Sequence, residues 1–348
     1  MTTSDSKTEA PSRSLRGKSA ISWILGLPPA YYVLAILVAV APAVSATLIN
    51  PNYWFVILKQ SAPLGIAVLA QSLVMRVRSI DLSVSGIFAF AIYLASSGQL
   101  NNYPPLMTVL MPVVIGLAVG GVNGILVAYV RASAVISTLS VSAILIGIVQ
   151  YMSAGRAPGS TPSWLRILTS GNIHGLSYSV VLWIVIAALI SIAFRFLIVG
   201  RYFRAVGDNP RAAETTGIPL ARTIFVSHTL AGALTGIAAL VQVSALAVGT
   251  IKPGFDTFMN ALAATILGGV TFGVDRGGVA GPFVAVVAFS FPVRDADRLR
   301  HPGAGQAYRP GRDHCICRNH LRCARGSRLV RRADQVIPVA IAGERRRI

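Results

Sequence analysis

From about residue 29 to residue 291 this chain is a succession of long apolar runs separated by short polar breaks, and that pattern constrains its fold more than any other feature. The runs lie at 29–49, 53–75, 80–95, 105–130, 133–152, 178–199, 223–248, 259–272 and 279–291. A helix of roughly 20 apolar residues crosses the ~30 Å hydrocarbon layer of a bilayer. None of the runs alternates apolar with polar residues as membrane-barrel strands do, so helices remain as the way to satisfy every backbone group inside lipid. The expected fold is all-α, a polytopic transmembrane helix bundle with nine recognisable spans and the lipid bilayer as its first partner. Composition agrees: only 12% of residues are charged and mean hydropathy is +0.65, against roughly 25% charged residues in soluble domains.

The cations orient this bundle. With the N-terminus in the cytoplasm, the inside segments carry Lys7, Arg13, Arg16, Lys18, Arg76, Arg78, Arg131, Arg201, Arg204, Arg211, Arg222 and Arg276, and the outside loops carry Arg156, Arg166 and Lys252. Twelve against three is the asymmetry of a membrane protein with its positive side inside. Residues 1–28 are then a basic cytoplasmic leader without apolar period. Within it, Gly17-Lys18-Ser19 imitates the end of a phosphate-binding loop, but Ser12 stands where the first glycine is needed and no strand precedes it. No hydrolytic triad or zinc-binding helix motif occurs, and the first 291 residues contain no cysteine. The chain is expected to have no catalytic residue, no metal and no cofactor.

Small residues recur at helical spacing. Gly116, Gly120 and Gly124 form two small-xxx-small steps in one run, and Gly232 and Gly236 repeat the step in another. Such steps let helices approach closely in lipid, where burial of apolar surface supplies no drive between them.

The longest inside segment, residues 200–222 (GRYFRAVGDNPRAAETTGIPLAR), is far more polar than its flanks. Asp208-Asn209-Pro210 signals a helix start, a capping side chain followed by a proline tolerated in the first turn. The spacing predicts a short amphipathic helix over 211–216 at the cytoplasmic surface. Gly217 can end it in the left-handed conformation, and Pro219 blocks continuation.

This loop is similar to the cytoplasmic loop of the ribose/monosaccharide-type ABC importer permeases. The resemblance extends to SIDLSVSG (79–86), GLAVGGVNGILVAYVRASAVISTLS (116–140) and ALAATILGGVTFGVDRGGVAGPF (261–283), and covers roughly residues 30–291. It implies that the short helix docks into an ATP-hydrolysing subunit, with Asn209, Pro210, Arg211, Ala212, Ala213, Glu214, Gly217 and Ile218 on the matching positions. It implies further partners: an extracytoplasmic solute-binding protein and a second permease subunit, identical or different. The setting implied is a bacterial inner membrane, and the cargo a sugar or similar small polar solute. Related permeases for branched-chain amino acids or nucleosides share the architecture, and composition alone would also suit a passive channel or a membrane scaffold. One departure stands out. The family has a glycine-rich approach to its IDLS motif, whereas this chain reads Met75-Arg76-Val77-Arg78-Ser79, and Ser85-Gly86 reverses the usual order.

Four polar residues in the apolar runs are candidates for a solute path: Asp81, Ser83, Asn123 and Thr138. Each also has a structural reading. An acid at the start of a helix caps it, and asparagine or threonine inside a bundle hydrogen-bonds between helices.

Residues 292–348 have a different composition, with 14 Arg, no Lys and all three cysteines. Read as protein chemistry, His314, Cys315, Cys317, His320 and Cys323 suggest a metal site of irregular spacing, and the arginines suggest nucleic acid or anionic lipid. A shifted reading frame accounts for more. Residues 308–323 (YRPGRDHCICRNHLRC) can be encoded so that reading one base later gives IVQGVIIVFVVIIYVA, an apolar span resembling the family's last helix. The tail is therefore expected to be out of frame from just after Phe291, leaving nine spans of an expected ten and no nucleic-acid partner.

Overall fold

The structure is a computed structural model that describes residues 26–44, 50–100, 102–156, 158–246, 249 and 254–300, with residues 42–44, 51 and 291–300 described through their backbone. The leader up to residue 25, including Gly17-Lys18-Ser19, and residues 301–348, including the cysteine–histidine group, lie outside the described residues.

The apolar runs fold as helices. In chain order these are α1 (Pro29–Val44), α2 (Pro51–Arg76), α3 (Val84–Ser96), α4 (Pro105–Ala128), α5 (Ala134–Ser153), α6 (Ile167–Ser170), α7 (Tyr178–Phe196), α8 (Ile198–Asp208), α9 (Pro210–Thr215), α10 (Leu220–Ala245), α11 (Phe255–Leu267) and α12 (Ala280–Arg300). Two small antiparallel hairpins join them. β1 (Asn172–Ile173) pairs with β2 (Leu176–Ser177) before α7, and β3 (Val270–Thr271) pairs with β4 (Val274–Asp275) before α12. Among the described residues α2, α4, α5, α7 and α10 are long and apolar enough to cross a membrane, while α1, α3, α11 and the first part of α12 are apolar but shorter. All nine expected runs thus fall on apolar helices, and five of these have spanning length. The chain is an all-α, multi-pass membrane protein.

Helix α10 is the axis of the assembly, packed along α4 and against α2 and α3; α3 also lies on α5, and α7 and α11 lie on α2. The α4–α10 contact is made by the spaced glycines. A Cβ on Gly116 would meet the carbonyl oxygen of Gly232, one on Gly120 that of His228, and one on Gly236 that of Pro112. The backbones touch because nothing stands between them. Elsewhere the core is apolar. Trp183 of α7 is fully buried, its indole stacks on Phe283 of α12 with centroids 4.1 Å apart, and Gly65 of α2 leaves the room for it.

Polarity is distributed inside out. Gln71, Ser72, Asn123, Thr138, His228, Thr235 and Thr265 are buried, whereas Ile36, Leu106, Ile136, Ile144, Leu189 and Ile192 are exposed. A bundle that faces hydrocarbon has this pattern, because lipid is as apolar as leucine and polar groups find partners only inside.

Three elements differ from the sequence expectation. The run at 80–95 becomes helical only at Val84, because the preceding residues form an irregular approach held by side chains. The segment 200–222, expected as a loop bearing one short helix, is two helices: α7 ends at Phe196, Leu197 is extended (φ −89°, ψ 155°), and α8 starts at Ile198. Gly200 permits this tight corner, since a Cβ there would strike the Phe194 backbone. The run at 259–272 stops at Leu267, where Gly268 and Gly269 (φ +84°) turn the chain into the β3–β4 hairpin.

Candidate coupling surface and buried polar site

The sequence-predicted site residues form two groups. In the first, α9 is a helix of six residues whose ends are both specified locally. Asn209 is its cap: Oδ1 accepts from the Arg211 and Ala212 amides, each at 3.1 Å. Pro210 follows at the first helical position. At the other end Gly217 has φ +83°, its amide donates to the Glu214 carbonyl at 3.1 Å, and the Ile218 amide returns to the Ala213 carbonyl at 3.0 Å. Left-handed backbone of this kind suits glycine.

The faces of α9 divide the predicted residues. Ala213 is buried with Leu73, Val77, Phe194, Phe203 and Val206, and Ile218 packs on the same cluster. These two anchor the helix to its own bundle. Arg211, Ala212 and Glu214 are exposed. Of the two alanines on the matching positions, therefore, only Ala212 is on the outer side.

In the second group Asp81, Ser83, Asn123 and Thr138 are all buried and do come together. Asp81 Oδ1 accepts from the Ser83 amide (2.9 Å) and the Ser83 hydroxyl (2.6 Å). Asn123 Nδ2 donates to Ser83 Oγ at 2.8 Å and lies 3.4 Å from Asp81 Oδ1. Thr138 Oγ1 accepts from the Leu82 amide at 3.0 Å and donates to the Ala134 carbonyl at 2.7 Å. The side chains thus replace helix hydrogen bonds that the irregular residues 80–83 do not make, as buried backbone requires. The other oxygens, Asp81 Oδ2 and Asn123 Oδ1, are buried without a hydrogen-bond partner among the described residues.

Several residues of the site carried no site signal in sequence. His228 of α10 is fully buried beside this group, with Nε2 2.9 Å from Ser79 Oγ. Ser85 and Ser142 link α3 to α5 at 2.7 Å. Arg76 and Arg78, read in sequence as inside charges and as part of the departure at 75–79, bind residues far along the chain. Arg76 is buried, its Nη2 donates to the Gly278 carbonyl at 2.7 Å, its Nε lies 3.3 Å from Asp275 Oδ2, and its guanidinium stands 4.4 Å from the Phe194 ring centre. Arg78 donates from Nε to the Gly207 carbonyl (2.6 Å) and from Nη2 to the Asp208 carbonyl (2.9 Å). The glycine-rich stretch around residue 273 was the available clue to these contacts, since it marks a place of close backbone approach.

The described residues thus form an all-α multi-pass bundle carrying a short, capped and largely exposed helix between two of its longer ones. Residues 53–292 match the family described as "Branched-chain amino acid transport system / permease component", and the chain belongs to that family. Among curated proteins it is similar to the ribose import permease protein RbsC of Haemophilus influenzae, 26% identical over 75% of this chain and 82% of that protein. It is also similar to the fructose import permease protein FruF of Bifidobacterium longum (29% identical, 66% of each chain). The autoinducer 2 import system permease protein LsrC of an Enterobacter strain is 30% identical over 68% of this chain and 70% of that protein. No solved structure matches.

Proposed function

We infer that this chain is the transmembrane subunit of an ATP-driven importer that carries a monosaccharide or similar small polar solute into the cell. The carrying observation is the resemblance, across most of its length, to ribose, fructose and galactose import permeases. The family description names branched-chain amino acids, which keeps an amino-acid cargo as the second reading.

Two copies of this chain, or this chain and a related one, enclose the path. An ATPase subunit docks inside and a solute-binding protein delivers outside. The lysine and arginine asymmetry supports a cytoplasmic N-terminus and, with it, a place for α9 on the ATPase side of the inner membrane. The coupling surface is Arg211, Ala212 and Glu214, with Asn209, Pro210 and Gly217 shaping the helix and Ala213 and Ile218 anchoring it. Arg211 and Glu214 supply opposite charges for pairing across the interface. The Asp81, Ser83, Asn123 and Thr138 group abuts the solute path, and its two unpartnered oxygens, buried in this arrangement, become acceptors for a sugar hydroxyl when the bundle opens toward them. Transport then follows from rocking of the bundle around a central path.

Uptake of labelled ribose, fructose, galactose and leucine, measured with the neighbouring binding protein and ATPase, tests the cargo; leucine uptake alone would select the second reading. For the coupling surface, Gly217→Val forces a β-branched residue to φ +83°. Because nothing lies within 4 Å of the added Cβ, its cost is conformational, about 1–2 kcal/mol. The ATPase is expected to be lost from the purified complex; full retention would remove α9 from the interface.

A further inference from the structure

The departure at residues 75–79 acquires a meaning in the structure. Arg78 adopts φ 60°, a left-handed conformation that is comfortable for glycine and uncommon for arginine. In that conformation its side chain reaches the last carbonyls of α8, at Gly207 and Asp208. These are helix-end acceptors with no onward helical donor, and a cation at a helix C-terminus also meets the negative end of the helix dipole. Asp208 is followed directly by Asn209, the cap of α9. The arginine therefore grips the chain at the root of the coupling helix.

The same turn is tied on its other sides. Arg76, two residues earlier, binds Asp275 in the β3–β4 hairpin and Gly278 just after it, and lies over Phe194 at the end of α7. The Gly273 amide donates to the Met75 carbonyl at 2.9 Å. Gly207 and Gly273 make the junction possible, since a Cβ on the first would meet the Arg76 carbonyl and one on the second the Gly207 carbonyl. Arg204 closes the ring by donating from Nη2 to the Phe194 carbonyl at 2.7 Å. Beside these contacts is a cavity of about 300 Å³ lined by Arg76, Phe203, Arg204, Asp208, Gly273 and Asp275, which leaves room for the parts to shift.

We propose that Arg78 is a positioning residue for energy coupling: it fastens the root of the α8–α9 coupling segment to the end of α2 and, through Arg76, to the hairpin that leads into α12. Movement imposed on α9 is then delivered to the centre of the bundle, because α2 packs on α7, α10 and α11. The links run from α8 to residue 78 across 129 positions and from residue 76 to residue 275 across 199. They form a short bridge in space between segments the chain keeps far apart. This proposal rests on α9 being the ATPase contact.

The test uses the complete transporter, this chain with its ATPase and binding protein, in proteoliposomes, with solute transported per ATP hydrolysed as the readout. Arg78→Gly relaxes the backbone while deleting the grip, and Arg78→Lys keeps the charge as a single point donor. The expected result for Arg78→Gly is normal co-purification of the ATPase with a transport-to-hydrolysis ratio about tenfold lower, the scale of one charge-assisted hydrogen bond's preference. Arg78→Lys is expected to fall between Arg78→Gly and the unsubstituted protein. An unchanged ratio in Arg78→Gly overturns the proposal. So does a parallel fall of transport, hydrolysis and yield, which would make the arginine a fold-holding residue only. Failure of the underlying reading shows separately, as retention of the ATPase by Gly217→Val.

Discussion

Replacing Gly232 by alanine tests how the two central helices meet. The new methyl group would be built onto the Gly116 carbonyl oxygen and close to Gly120 Cα, both backbone atoms that cannot swing aside. Overpacking by one carbon costs roughly 1–3 kcal/mol, and a backbone obstacle puts it toward the upper part of that range. Alanine recovers about 1 kcal/mol of helix propensity, so Gly232→Ala is expected to destabilise by about 1–2 kcal/mol net. Gly147 on α5 is the internal control, because a Cβ there meets nothing within 4 Å. Gly147→Ala keeps the propensity gain of up to about 1 kcal/mol without the obstacle. The two substitutions are chemically identical and should move stability in opposite directions. Thermal melts of the detergent-purified protein, followed by loss of the monodisperse species, should show Gly232→Ala several degrees below and Gly147→Ala at or above the parent, at about 2–4 °C per kcal/mol. Equal shifts of the same sign would refute the claim that α4 and α10 touch through bare backbone.

Two further outcomes are expected. Asn123→Leu preserves approximate volume but removes the donor to Ser83 and Asp81, which should destabilise by about 1–3 kcal/mol. A KM change in the transport assay without loss of stability would make Asn123 a solute contact rather than a structural one. Sequencing the gene across codons 285–325 is expected to reveal a one-base displacement after Phe291, with higher membrane yield once the frame is restored; an intact frame with no apolar alternative would end that reading.

The helices were legible because each is a continuous apolar run, and lipid permits few other structures. The caps of α9 were legible because Asn209, Pro210 and Gly217 act through their own backbone, within a few residues. The start of α3 was not, since Leu82 depends on Thr138, and no local pattern announces a hydroxyl that arrives from another helix. The corner at Leu197 was missed for a related reason: the apolar run continues through Val199, and only the contact of Gly200 with Phe194 shows where the axis turns. Arg76 and Arg78 were counted for their charge and understood only through partners well over a hundred residues away. Sequence thus described what each segment is, and the structure added which segment it answers to.

The outward placement of leucine, isoleucine and valine also bears on how such proteins diverge. Positions such as Ile136, Ile144 and Leu189 meet a surrounding that cannot distinguish one aliphatic side chain from another, so mutation there is nearly silent while the residue stays apolar. Gly116, Gly120, Gly232 and Gly236 have no such latitude, because each is bounded by a neighbouring backbone. Evolutionary drift can therefore rewrite most of the bulky hydrophobic residues of this fold and leave its frame standing. What must persist is a sparse script of the smallest residues, those a reader accustomed to water-soluble proteins would pass over as filler.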